Sequence, residues 1–170
     1  MRLMISAAMT GLMTAPALAG SAVIAIDIPR LNVAEYHKPY VAFWIESKDG
    51  SQITNLAVWY DVKLKNDEGT KWLKDMRQWW RRTGRELTMP SDGLSSPTRP
   101  PGTHKLTFDA GKTPLSKLGS GEYVLVVEAA REVGGRELLK IPFQWPPKAP
   151  TSAEAKGEHE IGNVTLTLTP

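Results

Sequence analysis

The stretch YVAFWIESKDG, residues 40–50, decides the fold class. Its first seven residues are mostly aromatic or β-branched, the types that favour a strand, and an Asp-Gly pair follows them as a hairpin signal. The returning run, residues 53–63, alternates apolar and polar residues with a period of two. Its apolar face consists of Leu56, Val58, Tyr60 and Val62. These two runs together predict a β-hairpin.

Outward from this hairpin, further short alternating runs are separated by turn signals. They span residues 22–28, 104–108, 122–128, 137–143 and 163–169. The pair Gly134-Gly135 marks a turn between two of them. About seven short strands with little helix predict an all-β fold, an immunoglobulin-like antiparallel β-sandwich, formed by one domain over residues 20–170.

One segment, residues 70–82 with the sequence TKWLKDMRQWWRR, has helical periodicity instead. Its apolar side consists of Trp72, Leu73, Met76, Trp79 and Trp80, and its basic side of Lys74, Arg77 and Arg81. Such a stripe favours a helix that packs on the sandwich. A basic amphipathic helix at a membrane surface is the alternative. In either case Trp79, Trp80, Arg77 and Arg81 are the candidates for contact with a partner.

Two segments lack a regular pattern. Residues 88–102, TMPSDGLSSPTRPPG, contain four prolines and two glycines and predict a long exposed loop, either a functional loop or a plain crossover. Residues 146–157 predict a flexible loop before the last strand.

The N-terminus has the pattern of an export signal. Arg2 precedes an apolar stretch over residues 3–13, and small residues end at Ala19. We therefore predict a signal peptide over residues 1–19 that is cleaved after Ala19, and a periplasmic or secreted protein. A membrane anchor is the alternative, but the apolar run is shorter than the ~18 residues of a span.

Composition excludes several functions. The 170 residues contain no cysteine, which excludes disulfides, thiolate metal sites, c-type haem attachment and a cysteine nucleophile. Three scattered histidines do not predict a metal site, and a net charge of +3 does not indicate a nucleic-acid partner. No catalytic constellation is present in the pattern, so an independent enzyme is the least favoured class.

Several stretches resemble a known family. They cover residues 37–50, 56–60 and 71–81, and the runs PPGTHKLTFD and GEYVLVVEAAREVGGRE. Together they are similar to a bacterial periplasmic family of unknown function. The second half is also similar to the immunoglobulin-like module of the flagellar hook-cap protein, which implies a fold and not a flagellar role.

The resemblance implies a function. Members of that family occur with PepSY membrane proteins, outer-membrane iron or haem receptors and a flavin transferase, which implies a part in extracytoplasmic electron transfer and iron acquisition. The transferase attaches FMN through a phosphoester in a motif resembling Asp-x-x-Ser/Thr-Gly-Ala-Thr. Asp92, Ser95 and Thr98 match this motif, and Thr98 is the implied acceptor.

The resemblance also implies surroundings for this FMN. Arg99 would pair with the phosphate by charge-assisted hydrogen bonds. Trp79, Trp80 or Trp44 would stack on the ring.

Two departures from the family pattern bear on this implication. Ser96 and Pro97 replace the usual Gly-Ala pair, and Pro97 restrains the loop towards extended geometry. Val133 stands where the family usually has a histidine.

The sequence therefore carries two functional hypotheses. The first is a periplasmic accessory protein that holds covalent FMN on Thr98 and docks on a PepSY-type membrane protein. The second is a cofactor-free immunoglobulin-like binding or assembly module, whose long loop and tryptophan-rich helix contact a partner protein.

Overall fold

Over residues 20–170, nine strands form two sheets that face each other across an apolar core. The computed structural model describes residues 20–170, and the predicted signal peptide lies outside the described residues. The strands are Ser21–Ile28 (β1), Tyr40–Ser47 (β2), Ile53–Tyr60 (β3), Ser95–Pro97 (β4), Gly102–Asp109 (β5), Gly121–Ala130 (β6), Arg136–Trp145 (β7), Thr151–Lys156 (β8) and Asn163–Thr169 (β9). The seven predicted strands are all present, which confirms the all-β sandwich.

The order of the strands explains the immunoglobulin-like character. The smaller sheet has the order β5-β1-β9-β8 and the larger one β4-β3-β2-β6-β7. The run β3-β2-β6-β7 corresponds to the C′, C, F and G strands of an immunoglobulin domain, and the β1–β5 pair to its B and E strands. The C-terminal hairpin β8–β9 extends the smaller sheet beside β1.

Both faces of the larger sheet are covered. Phe43 and Leu125 on its inner face share one buried apolar cluster with Ile24 of the smaller sheet. Its outer face is covered by helical turns that bury Leu73, Met76 and Trp79. Because β2 is buried on both faces, its sequence is an almost continuous run of apolar residues.

The prediction of one continuous helix over residues 70–82 is wrong. The segment consists of 3-10 turns over Lys65–Asp75 and a short α-helix, Arg77–Arg82 (α1). Met76 breaks the helix because its ψ of 74° is not helical, and its side chain is fully buried against the sheet. Two short 3-10 turns, Gly84–Glu86 and Leu115–Lys117, complete the helical structure.

Both segments predicted as loops contain a strand, so these two predictions are wrong in part. Within residues 88–102, β4 pairs in parallel with β3. The Val58 N–H donates to the Leu94 carbonyl, and the Thr98 N–H donates to the Tyr60 carbonyl. The backbone of Pro97, between them in the alternation, faces the free edge, so its missing N–H costs the sheet no hydrogen bond. Within residues 146–157, β8 pairs with β9. Its polar residues suit an edge strand, and pattern alone does not reveal them.

The two predicted turns are confirmed. The β2–β3 hairpin closes through Gly50, whose φ of 71° lies in the left-handed region that favours glycine. The β6–β7 turn contains Gly134, whose N–H donates to the Arg131 carbonyl at 2.9 Å. Val133 in that turn has a φ of 51°, an unusual conformation for a β-branched residue.

Candidate functional site

Thr98 lies where β4 ends at the edge of the larger sheet. Its backbone N–H donates to the Tyr60 carbonyl, and its hydroxyl donates to Oδ1 of Asp61, each at 3.2 Å. The side chain is half-buried. The parallel pairing of β4 with β3 therefore holds one hydroxyl in a defined position beside one carboxylate.

Asp92 and Ser95, the other matches to the motif, shape the turn before β4. The Ser95 hydroxyl accepts a hydrogen bond from the Ser91 N–H at 2.9 Å, and the Ser95 N–H donates to the Ser91 carbonyl. Gly93, with a φ of 73°, allows this tight turn, and Asp92 is exposed at its tip. Ser95 therefore stabilises the segment that presents Thr98.

Arg99 has different surroundings from Thr98. Its guanidinium carbon lies 5.4 Å from the centre of the Trp59 ring, a cation–π contact. The His104 ring meets the same indole edge-on at 5.8 Å. These three side chains line a cavity of about 300 Å³ between the two sheets. In this arrangement the Arg99 guanidinium contacts Trp59, whereas the Thr98 hydroxyl contacts Asp61.

Asp61 links Thr98 to a second cavity, at the end of the larger sheet. This cavity measures about 280 Å³, and Tyr36, His37, Asp61 and Trp72 are among the residues that line it. A neighbouring cavity of about 620 Å³ shares four of its lining residues with this one, namely Trp72, Asp75, Ala130 and Glu132. We name the two adjacent cavities together, from Asp61 past Trp72 to Val133, the Asp61–Trp72 groove.

The Asp61–Trp72 groove exposes apolar side chains. Trp72 is 43% exposed and Val133 is 79% exposed. Backbone strain and exposed apolar side chains are both associated with functional sites. Val133 combines an exposed apolar side chain with a positive φ. The groove therefore combines one exposed indole with charged and polar side chains such as Asp61, Asp75 and Glu132.

Two buried polar atoms close to this groove have no hydrogen-bond partner among the described residues. They are the Tyr36 hydroxyl and Nη1 of Arg131. Burial raises the pKa of the Tyr36 hydroxyl above its ordinary value, against the opposing effect of the Arg131 guanidinium. The other nitrogens of Arg131 bind the Glu160 carboxylate at 2.9 and 3.1 Å.

The predicted partner contacts divide into two groups. Arg77 and Arg81 are exposed on α1, and Trp80 is half-buried. Trp79 is fully buried, and its indole N–H donates to Asn55 at 2.9 Å. A surface role for Trp79 is therefore wrong, because the short helix turns this residue into the core.

The predicted stacking positions need the same correction. Trp44 and Trp79 are both fully buried, so neither ring has a free face for a flavin.

The sequence pattern did not reveal that Trp72 is exposed or that Asp61 lies beside Thr98. In the 3-10 turns Leu73 and Met76, three residues apart, face the core, and Trp72 lies outside that face. The position of Asp61 beside Thr98 follows from the β3–β4 pairing. Neither feature is visible in a local pattern.

Over residues 20–170, His, Asp and Glu do not form a group of three or more that could hold a metal ion. None of the helices in this range is long and apolar enough to cross a membrane.

The described residues form a β-sandwich with a groove on its surface beside an edge strand. The chain belongs to a family described as predicted periplasmic protein (DUF2271), whose profile matches residues 21–163. This family assignment agrees with the periplasmic location that the leader predicts. The comparison with curated proteins gives no match, and neither does the comparison with solved structures.

Proposed function

We propose that this protein is a periplasmic flavin carrier, with FMN joined through a phosphoester to Thr98, that acts in extracytoplasmic electron transfer linked to iron acquisition. A flavin transferase loads it, and a PepSY-type membrane protein is its redox partner. The observation that carries this proposal is the Thr98 hydroxyl, held 3.2 Å from the Asp61 carboxylate at the end of a groove.

The attachment chemistry suits this arrangement. A threonine hydroxyl is a weak nucleophile unless a base accepts its proton, and Asp61 is in a position to do so. The Oγ of Thr98 forms the new bond to the phosphorus of a flavin nucleotide donor. A P–O bond of the donor's pyrophosphate breaks, the other nucleotide leaves with that oxygen, and the hydroxyl proton passes to a base.

Ser96 and Pro97 replace the usual Gly-Ala pair of the motif, and this replacement is compatible with an accessible Thr98 hydroxyl. These residues lie in β4, extended along the sheet edge, and Pro97 is exposed. The transferase would therefore engage an extended edge in place of a flexible Gly-Ala bend. The free side of this edge is available to a second protein, because β4 is the outermost strand.

The residues around Thr98 fit an FMN group. The cavity beside Asp61 is near the lower size limit of small-molecule pockets, roughly 300 Å³. Its exposed indole and the unpartnered Tyr36 hydroxyl suit a planar ring with polar edges. Bound FMN would supply reversible electron transfer, and the sandwich would supply a rigid support for it.

The test is to produce the chain together with a flavin transferase and to measure its intact mass and visible absorbance. We expect a yellow protein with one FMN increment, retained in Ser96→Ala and lost in Thr98→Ala. Ser96 is the matched control, because it is a hydroxyl residue of the same strand. An unmodified, colourless wild-type chain overturns the proposal.

A cofactor-free binding module is the second candidate, and the basic surface beside α1 favours it. Arg81, Arg82, Arg85 and Lys140 line a cavity of about 770 Å³ together with Glu46 and Asp49. Arg82 is paired with Glu46 at 3.2 Å, whereas Arg81 and Arg85 are exposed. This excess of positive charge suits an acidic partner surface. An absent FMN increment would leave this candidate ahead.

A further inference from the structure

We infer that the Asp61–Trp72 groove is the seat of the flavin ring, with Trp72 as its stacking partner. This inference rests on the proposed function, because it concerns the FMN carried by Thr98. It assigns a role to Trp72, a residue outside the flavinylation motif, and predicts where the ring lies once it is attached.

The first argument is the connection between the attachment point and the groove. The Asp61 carboxylate accepts the hydrogen bond of the Thr98 hydroxyl, and Asp61 also lines the groove that contains Trp72. A group esterified to Thr98 therefore starts at the end of this groove. The Arg99 side chain faces a different cavity, lined by Trp59 and His104.

The second argument is the exposure of Trp72. The chain has six tryptophans, all within the described residues. Trp72 is 43% exposed, whereas four others are at most 5% exposed. Those four are Trp44, Trp59, Trp79 and Trp145. Trp80 is half-buried and packs against the core under the helical turns. Stacking requires a free ring face, and Trp72 offers the most exposed indole.

The third argument is the set of unsatisfied polar atoms beside the groove. The Tyr36 hydroxyl can donate and accept a hydrogen bond, and Nη1 of Arg131 can donate one. Buried polar atoms of folded proteins are usually paired, so each unpaired one calls for an explanation. Both atoms are shielded from solvent, so the edge of an isoalloxazine ring would meet them only after these side chains turn into the groove, where its carbonyl oxygens and N–H are complementary to them.

The experiment compares Trp72→Phe with Trp80→Phe in chains that carry FMN. Intact mass first establishes that each variant carries one FMN. The flavin fluorescence of the native chain is then divided by that of the same chain unfolded in denaturant. A stacked indole quenches flavin emission, so we expect a low native ratio in wild type, a several-fold higher ratio in Trp72→Phe, and a wild-type ratio in Trp80→Phe.

The outcomes separate the two proposals. An equal ratio in Trp72→Phe and wild type, with FMN attached to both, overturns the groove as the ring's seat and leaves the carrier function standing. A rise in Trp80→Phe alone also overturns it. A chain without any FMN increment overturns the carrier function and this inference together.

Discussion

At the scale of single residues, the site depends on a pair that is far apart in sequence. Thr98 follows from the motif, but Asp61 lies 37 residues away and follows only from the parallel pairing of β4 with β3. A local pattern predicts which residues form a strand, but not which strand lies beside another. For this reason the motif can point to Thr98 as the proposed acceptor, whereas its carboxylate neighbour is not predictable from the sequence.

We predict that Asp61→Asn slows FMN attachment to Thr98. An amide oxygen accepts the threonine hydrogen bond but cannot take its proton, so the hydroxyl is less activated. The rate of the mass increment, followed over time with purified transferase, measures this effect. Asp75→Asn is the matched control, because Asp75 is another exposed acid of the same groove. Equal rates in the two variants would contradict a role for Asp61.

Glu137 is a residue whose effect depends on pH. Its carboxylate accepts hydrogen bonds from the backbone N–H groups of residues 158–161, at 2.6 to 3.1 Å. Burial raises the pKa of this carboxyl, but the four donors outweigh burial and lower the pKa below its ordinary value of 4.5. The stabilisation is therefore present above that ordinary value and is lost as the pH falls through the folded pKa.

We predict that Glu137→Gln flattens the acid side of the stability profile. Wild type should lose free energy of unfolding between about pH 5 and pH 3, and the variant should lose less over the same range. Urea unfolding at several pH values measures the difference. Glu154→Gln is the control, because Glu154 is exposed on the neighbouring strand β8. Identical profiles in wild type and Glu137→Gln would refute this account.

At the scale of elements, α1 is stabilised by the sheet beneath it. No side chain of its own segment caps its N-terminus. Instead the buried Glu128 of β6 accepts from the backbone N–H groups of Gln78 and Trp79, at 3.1 and 2.7 Å, and from Arg136 at 2.7 Å. This cap comes from a distant strand, so the sequence of the helix does not contain it.

We predict that Glu128→Gln lowers the free energy of unfolding by about 2 kcal/mol, because hydrogen bonds to a buried charge are lost. Thermal and urea unfolding measure the loss. The exposed Glu122, paired with Lys48, supplies the control, since Glu122→Gln should change stability by less than about 0.5 kcal/mol. A comparable loss in both variants would argue against the capping role.

The missed strands have a common cause. Neither β4 nor β8 contains a Val, Ile, Leu or aromatic side chain. Edge position permits this composition but does not require it, since β5 and β7 are also outermost strands and were predicted. Ser95–Pro97 and Thr151–Lys156 therefore lack the apolar alternation that identifies the seven predicted strands. The predicted helix also differs from the structure, because 3-10 turns precede Met76, and these turns bury Leu73 and leave Trp72 exposed.

At the scale of the whole molecule, one buried ion pair joins the two sheets. Arg131 follows β6 of the larger sheet, and Glu160 precedes β9 of the smaller one. Their side chains are 6% and 5% exposed and form a two-pronged contact. The Gly135 N–H adds a third hydrogen bond to the Glu160 carboxylate at 2.9 Å. The pair fixes the β6–β7 turn, which contains Val133 of the groove.

We predict that Glu160→Gln costs about 3 kcal/mol of stability, because it leaves a buried guanidinium without its counter-charge. Replacement of both residues, Arg131→Met with Glu160→Leu, should cost less than the sum of the two single changes. Urea unfolding of wild type, of Arg131→Met, of Glu160→Leu and of the double variant measures this coupling. Strict additivity would show that the two side chains do not act as a pair.

The fold class was predictable because alternation and turn chemistry are local. The arrangement of the strands was not, since it depends on which faces bury each other. The motif predicted Thr98 in the same local way. Its environment of Asp61, Trp72 and the groove is a property of the assembled sandwich.

The most direct test of the central claim is to locate the FMN group within the chain. Digestion by trypsin gives a peptide over residues 86–105, since the bond after Arg99 precedes a proline and resists cleavage. This peptide contains Ser95, Ser96 and Thr98, and its fragmentation in the mass spectrometer distinguishes them. The account predicts an FMN increment on Thr98. An increment on Ser95 or Ser96, or none in a chain produced with an active transferase, would contradict it.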